Sequence, residues 1–190
     1  MKYPCKAKKE FNKNINYSNR GMSLEFLINE TNIYYEKNNI AVIYKKPTPV
    51  TIGKVTYSNK PTVTKGYFKS KSTLDYVGLY KGKYIDFDAK STKSKTSFPL
   101  SNLHSHQLKH LKKVINHGGI SFLILEINDL IYLLDGKDII SFTQNSNRKS
   151  IPYDYIKKKG FLIELKYNPY LDYIKIIDKH LIGGKNEKEN

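Results

Sequence analysis

Asp75 and the triplet Asp88-Ala89-Lys90 are the residues of this chain whose types and spacing best suit chemistry. Two carboxylates and an ammonium can hold a hard divalent cation and steady negative charge on a phosphate, provided the chain brings them together. The intervening sequence offers a way. Residues 73–80 and 83–90 are both rich in strand formers, and Lys81-Gly82 between them suits a two-residue hairpin turn. Around that turn Asp75 faces Asp88 and Thr73 faces Lys90. Strand side chains alternate, so all four project from one face. Directly opposed Cβ atoms lie ~4.5–5.5 Å apart. Two carboxylates that close repel each other unless a cation stands between them. Mg²⁺, with oxygen ligands at ~2.1 Å and several retained waters, suits the gap. Lys90 then sits beside the charge that develops on a phosphate under attack.

These residues need elements to position them. A helix is predicted over about 101–116, with Leu103, Gln107, Leu111 and Val114 on its buried face and Gly118-Gly119 ending it. Gln107 is the polar member of an otherwise apolar face, and its amide oxygen could reach a metal. Two readings stay open here. Opposed acids on a strand pair also suit solvated surface, and a core Gln also suits a backbone hydrogen bond. Asp86 alternates onto the same face opposite Val77 and reads as spare electrostatics. His106 and His110 have helical i,i+4 spacing but no third ligand or HExxH glutamate, so they read as solvent-facing. Lys45 and Lys46 read as a solvated basic patch that serves DNA rather than catalysis.

A first helix is expected over about 23–36, capped by Ser23, with Leu24, Leu27, Ile28, Thr31 and Tyr35 on one face and Glu25 at its flank. Strands are expected at 41–46, 120–127, 131–134 and 161–165, and a closing helix at about 170–181. Helices alternating with strands in this order predict an α/β fold on a mixed sheet. Prolines confine the stretch from Lys46 to Lys69 to turns and edges. Within it, 54–57 and 64–68 look like short strands of a two-stranded arm that protrudes.

The chain has 190 residues, 39% hydrophobic and 13% aromatic, which is enough for one domain with a core. Lys and Arg total 33 against 17 acids, a net charge of +16. Such a chain seeks a polyanion, nucleic acid first and an anionic membrane surface second. Biased coding composition could inflate Lys but does not explain the shortage of acids. Arg20 and Arg148 are the only arginines. Lysines bind phosphate as point charges and read bases less well than arginine forks, which favours recognition of backbone and shape. Cys5 stands alone, which excludes an intramolecular disulfide and a cysteine zinc cluster and suits the cytoplasm. No signal peptide is read at the N-terminus, and the longest apolar run, 120–127, is too short to span a membrane. The expected organisation is a flexible basic arm over 1–18, a main domain over 19–182 with the insertion at about 46–69, and a polar tail over 183–190.

The acid, then acid-x-Lys, of Asp75 and Asp88-Ala-Lys90 resembles the PD-(D/E)xK nuclease signature. More of the chain is similar to one branch, the RecU-type Holliday junction resolvases. The matching segments are Asn19-Arg-Gly-Met-Ser-Leu-Glu25, Lys45-Lys-Pro-Thr-Pro49, Ser72-Thr-Leu-Asp75, Lys83-Tyr-Ile-Asp-Phe-Asp-Ala-Lys90, Ser97-Phe-Pro-Leu100 and His104-Ser-His-Gln107. Their order and gaps agree from about residue 17 to 165. The resemblance implies a restriction-endonuclease-like mixed β-sheet flanked by helices, with a protruding β stalk. It implies a homodimeric, Mg²⁺-dependent endonuclease, with Mn²⁺ as a substitute, that cuts four-way DNA junctions by paired symmetric nicks and acts with the RecA recombinase. By that pattern Thr73, Asp75, Asp88 and Gln107 hold the metal, Lys90 stabilises the transition state and Glu25 supports the site from the first helix. The insertion matches the stalk that enters the junction centre. Arg20, Lys45, Lys46, Lys54, Lys60 and Lys65 are the expected DNA contacts. The family usually has Glu where this chain has Asp88, one methylene shorter, and the broader signature allows either acid. Two rival functions remain: a nuclease of the same fold acting on another branched or duplex DNA, and a catalytically weak junction-binding recombination accessory protein.

Overall fold

The computed structural model describes residues 23–47, 49–57, 59–68 and 73–183. The expected basic arm, Arg20 and the tail beyond Gly183 lie outside these residues. The fold is α/β. A mixed six-stranded sheet is built from β1 (Val42–Lys45), β4 (Tyr76–Tyr80), β5 (Lys83–Ser91), β7 (Ile120–Ile127), β8 (Leu130–Asp135) and β10 (Phe161–Ile163), in that spatial order. Among the described residues only β5 and β7 pair in parallel. Parallel neighbours need a long crossover, and here it carries β6 (Ser97–Pro99), a 3-10 turn over Leu100–Asn102 and helix α2 (Ser105–Asn116). Helix α1 (Leu24–Lys37) covers the opposite face.

The β4–β5 hairpin has the expected register, Tyr76 opposite Phe87 and Val77 opposite Asp86. Its turn uses positive φ at both Lys81 (47°) and Gly82 (72°), the backbone that matches strand twist in two-residue hairpins. Along β5 the side chains divide cleanly. Ile85 and Phe87 enter the core beneath α1, while Asp86, Asp88 and Lys90 point toward α2. The rings of Tyr76, Phe87 and Phe122 stack across β4, β5 and β7, with centroids 4.8 and 4.7 Å apart and near-parallel planes. A one-residue slip of any of these strands would break that stack, and a slip of β5 would also turn Asp86, Asp88 and Lys90 toward the core beneath α1. Tyr76 follows Asp75 and Phe87 precedes Asp88, so the stack pins the neighbours of both acids.

Helix α1 starts on Ser23, whose Oγ accepts from the Phe26 N–H, and buries Leu24, Leu27, Ile28, Thr31 and Tyr35 as its periodicity predicts. Tyr35 meets Tyr173 edge-on at 5.3 Å. Tyr173 opens α5 (Tyr173–Ile176), which runs on as a π-turn over Ile177–Ile182 and closes the first core. A second core lies under α2, α3 (Gly136–Asn145) and α4 (Tyr153–Lys159). α3, α4 and the short pair of β6 with β9 (Ser150–Pro152) occupy a stretch where hydrophobic periodicity indicates no element.

Among the described residues β2 (Val50–Tyr57) and β3 (Pro61–Phe68) pair only with each other. Nearly every described side chain of this ribbon is exposed. Its register shifts around Gly53, where the ladder bulges between Ile52 and Lys54.

Candidate active site

Asp88 is fully buried on β5. Its Oδ1 accepts from the Ala89 N–H at 2.9 Å, and its Oδ2 accepts from Gln107 Nε2 at 2.6 Å and Lys90 Nζ at 2.9 Å. Burial, with the Asp75 carboxyl in hydrogen-bonding contact, raises its pKa to about 7 although Lys90 pulls the other way. Two carboxyls and an ammonium therefore meet as the hairpin register predicts. Asp75 sits one residue before β4 begins, and its carbonyl accepts from the Lys46 N–H at 2.7 Å. Glu25, on the first turn of α1, lines a small open pocket with Asp75, Ala89 and Ser91 and is ion-paired to Lys45.

Gln107 reaches Asp88 from α2 with its amide nitrogen, because its oxygen closes the helix N-terminus on the His104 N–H at 3.0 Å. To offer oxygen to a cation the amide must rotate by half a turn and release that cap. The Thr73 hydroxyl accepts from Lys46 Nζ at 3.0 Å, so its main-chain carbonyl is the freer donor. Among the described residues no three or more His, Cys, Asp or Glu side chains gather as a metal cluster. The donors on hand are two carboxylates with neutral oxygens. That hard, incomplete oxygen set fits Mg²⁺, which binds through one or two carboxylates and completes its shell with water and phosphate. Asp88's raised pKa marks the same fit: burial first, and the neighbouring Asp75 carboxyl second, favour a proton there, and a bound dication would offset both.

Three residues that the sequence pattern assigned to surface or to spare charge build a second polar cluster next to Asp88. Asp86 is fully buried. Its Oδ2 accepts from Lys46 Nζ, Tyr84 Oη and His110 Nε2, each at 2.8 Å, and its Oδ1 accepts from Lys46 Nζ at 3.0 Å. Lys46 is thus no open cation, and its side chain is only 20% exposed. His110 faces this carboxylate rather than solvent, and His106 stacks on His104. One signal was available in the sequence: Gln107 and His110 share a helix face, as Asp86 and Asp88 share a strand face. Lys45 is exposed but paired to Glu25. Lys54, Lys60 and Lys65 stand exposed on the ribbon.

The sequence model of the family RecU, Recombination protein U, matches residues 19–179. The chain belongs to the RecU family. It is 53% identical over 169 residues to proteins named Holliday junction resolvase RecU from Bacillus thuringiensis (strain Al Hakam), Bacillus cereus (strain B4264) and Bacillus anthracis (strain A0248). Each match covers 85% of this chain and 84% of the relative. The RecU match takes in all the site residues above, from Glu25 through His110, and the whole ribbon. No helix among the described residues is long and apolar enough to cross a membrane.

Proposed function

We propose that this chain is a structure-selective endonuclease that resolves four-way DNA junctions by paired symmetric nicks in recombination and repair. The reading is carried by the Asp75–Asp88 carboxyl pair, with Lys90 on Asp88 Oδ2 at 2.9 Å, in a chain of the RecU family. Asp75 and Asp88 hold Mg²⁺, with Mn²⁺ as a substitute, and the Thr73 carbonyl and a rotated Gln107 amide complete the protein ligands. The ion supplies charge neutralisation at the phosphate and a more acidic attacking water. Lys90, 22% exposed at its side chain, shifts from Asp88 toward the phosphate oxygens and stabilises their charge. Glu25 and Lys45 form the mouth beside Asp75. The ribbon is the stalk: Lys54, Lys60 and Lys65 contact phosphates at the junction centre. Arg20 adds a contact from outside the described residues, and Lys46 acts on the protein side of the site.

Two symmetric nicks need two sites, so the working unit is a homodimer. A RecA-type recombinase is its proposed partner, and the cytoplasm its setting. The test is to incubate the full chain with a four-way junction, a flap and a plain duplex, with Mg²⁺ and with EDTA. Paired nicks in the junction, dependent on Mg²⁺ and absent in Asp88→Ala, are expected. Equal cutting of flap or duplex would make it a nuclease of another substrate. Junction binding without nicks would make it an accessory protein.

A further inference from the structure

Lys46 grips the segment 73–75 in two places. Its Nζ donates to Thr73 Oγ1 at 3.0 Å, and its main-chain N–H donates to the Asp75 carbonyl at 2.7 Å. The segment needs such a grip because it precedes the first ladder pair of β4. Asp86 is the fixed end of the arrangement. It is anchored on β5, is fully buried, and takes Lys46 Nζ on both of its oxygens. Tyr84 Oη and His110 Nε2 hold the same carboxylate, so β5, α2 and the chain after β1 meet on it. A carboxylate needs a donor, so the His110 nitrogen that faces it carries hydrogen.

We infer that Asp86 is a positioning residue for strand cleavage: acting through Lys46, it sets Thr73 and Asp75 against Asp88, and it holds no metal itself. This rests on the reading of Asp75 and Asp88 as the cleavage site. Three side-chain donors already hold the Asp86 carboxylate. A dication there would have to displace an ammonium that also holds Thr73, or share the carboxylate with it and repel it. The role resembles that of outer partners of metal ligands, whose removal typically costs about 10–100-fold in metal affinity or activity.

The test uses the full chain and four readouts: Mn²⁺ binding followed by electron paramagnetic resonance without DNA, junction affinity in EDTA, nicking against Mg²⁺ concentration, and the melting temperature. The variants are Asp86→Asn, the double variant Asp86→Asn/Lys46→Met and Asp88→Ala. Asp86→Asn should weaken Mn²⁺ binding about tenfold or more without changing its stoichiometry. It should raise the Mg²⁺ needed for half-maximal nicking by a similar factor and leave junction affinity within about threefold. The double variant also removes the part-buried ammonium that Asp86→Asn leaves without its counter-charge. It should recover the melting temperature but not the metal affinity, and it carries the test if the single variant does not fold. The inference is overturned if Asp86→Asn binds Mn²⁺ as wild type, if it loses one of two bound ions, or if metal affinity returns with the melting temperature in the double variant. Asp88→Ala separates the two readings. Wild-type nicking by that variant defeats the cleavage site itself, whereas an inactive Asp88→Ala beside an unaffected Asp86→Asn defeats only the role of Asp86.

Discussion

β4–β5 and β2–β3 are both antiparallel hairpins, and they differ in what stands beside them. β4–β5 lies inside the sheet, with β1 on one side and β7 on the other, a core under one face and α2 over part of the other. Its aromatic stack and buried acids fix each residue in one place. Among the described residues β2–β3 has no neighbouring strand and hardly any buried side chain. It is held by its own ladder, and Lys54 faces Lys65 across it. Like charges directly opposed cost stability in the free protein, which suits a surface whose partner is a polyanion. A hairpin that must place two carboxyls within a hydrogen bond needs packing on every side. One that must present charge to DNA needs reach.

The contrast is sharpest in cleavage. Asp75→Ala or Lys90→Ala should lower junction nicking by about 100- to 1,000-fold, on the scale of losing a transition-state electrostatic partner. Binding should stay within a few-fold, because affinity comes mainly from phosphate contacts. Gel-shift and nicking assays on the same samples check this. Parallel loss of both would make these residues structural.

Stability should separate the hairpins next. Phe87→Ala removes the middle ring of the stack and should cost about 3–5 kcal/mol, on the order of 10 °C in melting temperature for a chain of this size. Val63→Ala on the exposed ribbon should change the melting temperature by no more than about 1–2 °C, since surface changes stay within ~0.5 kcal/mol. A ribbon variant that melted as low as Phe87→Ala would mean that the ribbon packs against something.

For the ribbon the informative variable is salt. Replacing Lys54, Lys60 and Lys65 with Ala should weaken junction binding and lower the log–log salt slope by up to about 0.9 per lost phosphate contact. Equal weakening on junction and duplex would show that the ribbon adds charge without structural selectivity.

The smallest effects lie in the metal-free site. Asp75→Asn removes one of two touching carboxyls with little change of shape and should raise the melting temperature in EDTA by a few degrees, roughly 1 kcal/mol. Mg²⁺ should then stabilise wild type more than the variant. The pH dependence follows from Asp88. Its pKa is raised from 3.8 to about 7, so the folded protein holds a proton that the unfolded chain releases. That contribution is complete below about pH 4 and is lost as pH rises through 7. In EDTA the melting temperature of wild type should fall more between pH 5 and 8 than that of Asp88→Asn.

Local patterns were legible in the residues themselves. The Lys81-Gly82 turn and the alternation around it set the β4–β5 register, because backbone geometry leaves few ways to close a two-residue hairpin. The face of α1 and its Ser23 cap follow from a 3.6-residue period. α3 and α4 were not legible. α3 opens on Gly136 and carries Ser, Thr and Asn through its second half, and α4 has only seven residues, too few for a period to show. Sequence likewise brought Asp75, Asp88 and Lys90 together, since they lie on one hairpin.

Only the tertiary structure decided what surrounds them. Asp86 could not be told from a surface acid, nor Lys46 and His110 from a basic patch and a solvent-facing imidazole. They lie on β5, in the chain just after β1 and on α2, and nothing local to any of them specifies the others. The Gln107 amide could be placed on the buried face of its helix, but which atom it turns toward Asp88 depends on the His104 N–H that claims its oxygen. Burying an acid forces it to find donors. Which donors it finds is settled by packing between elements far apart in the chain, and periodicity along one element carries no record of that.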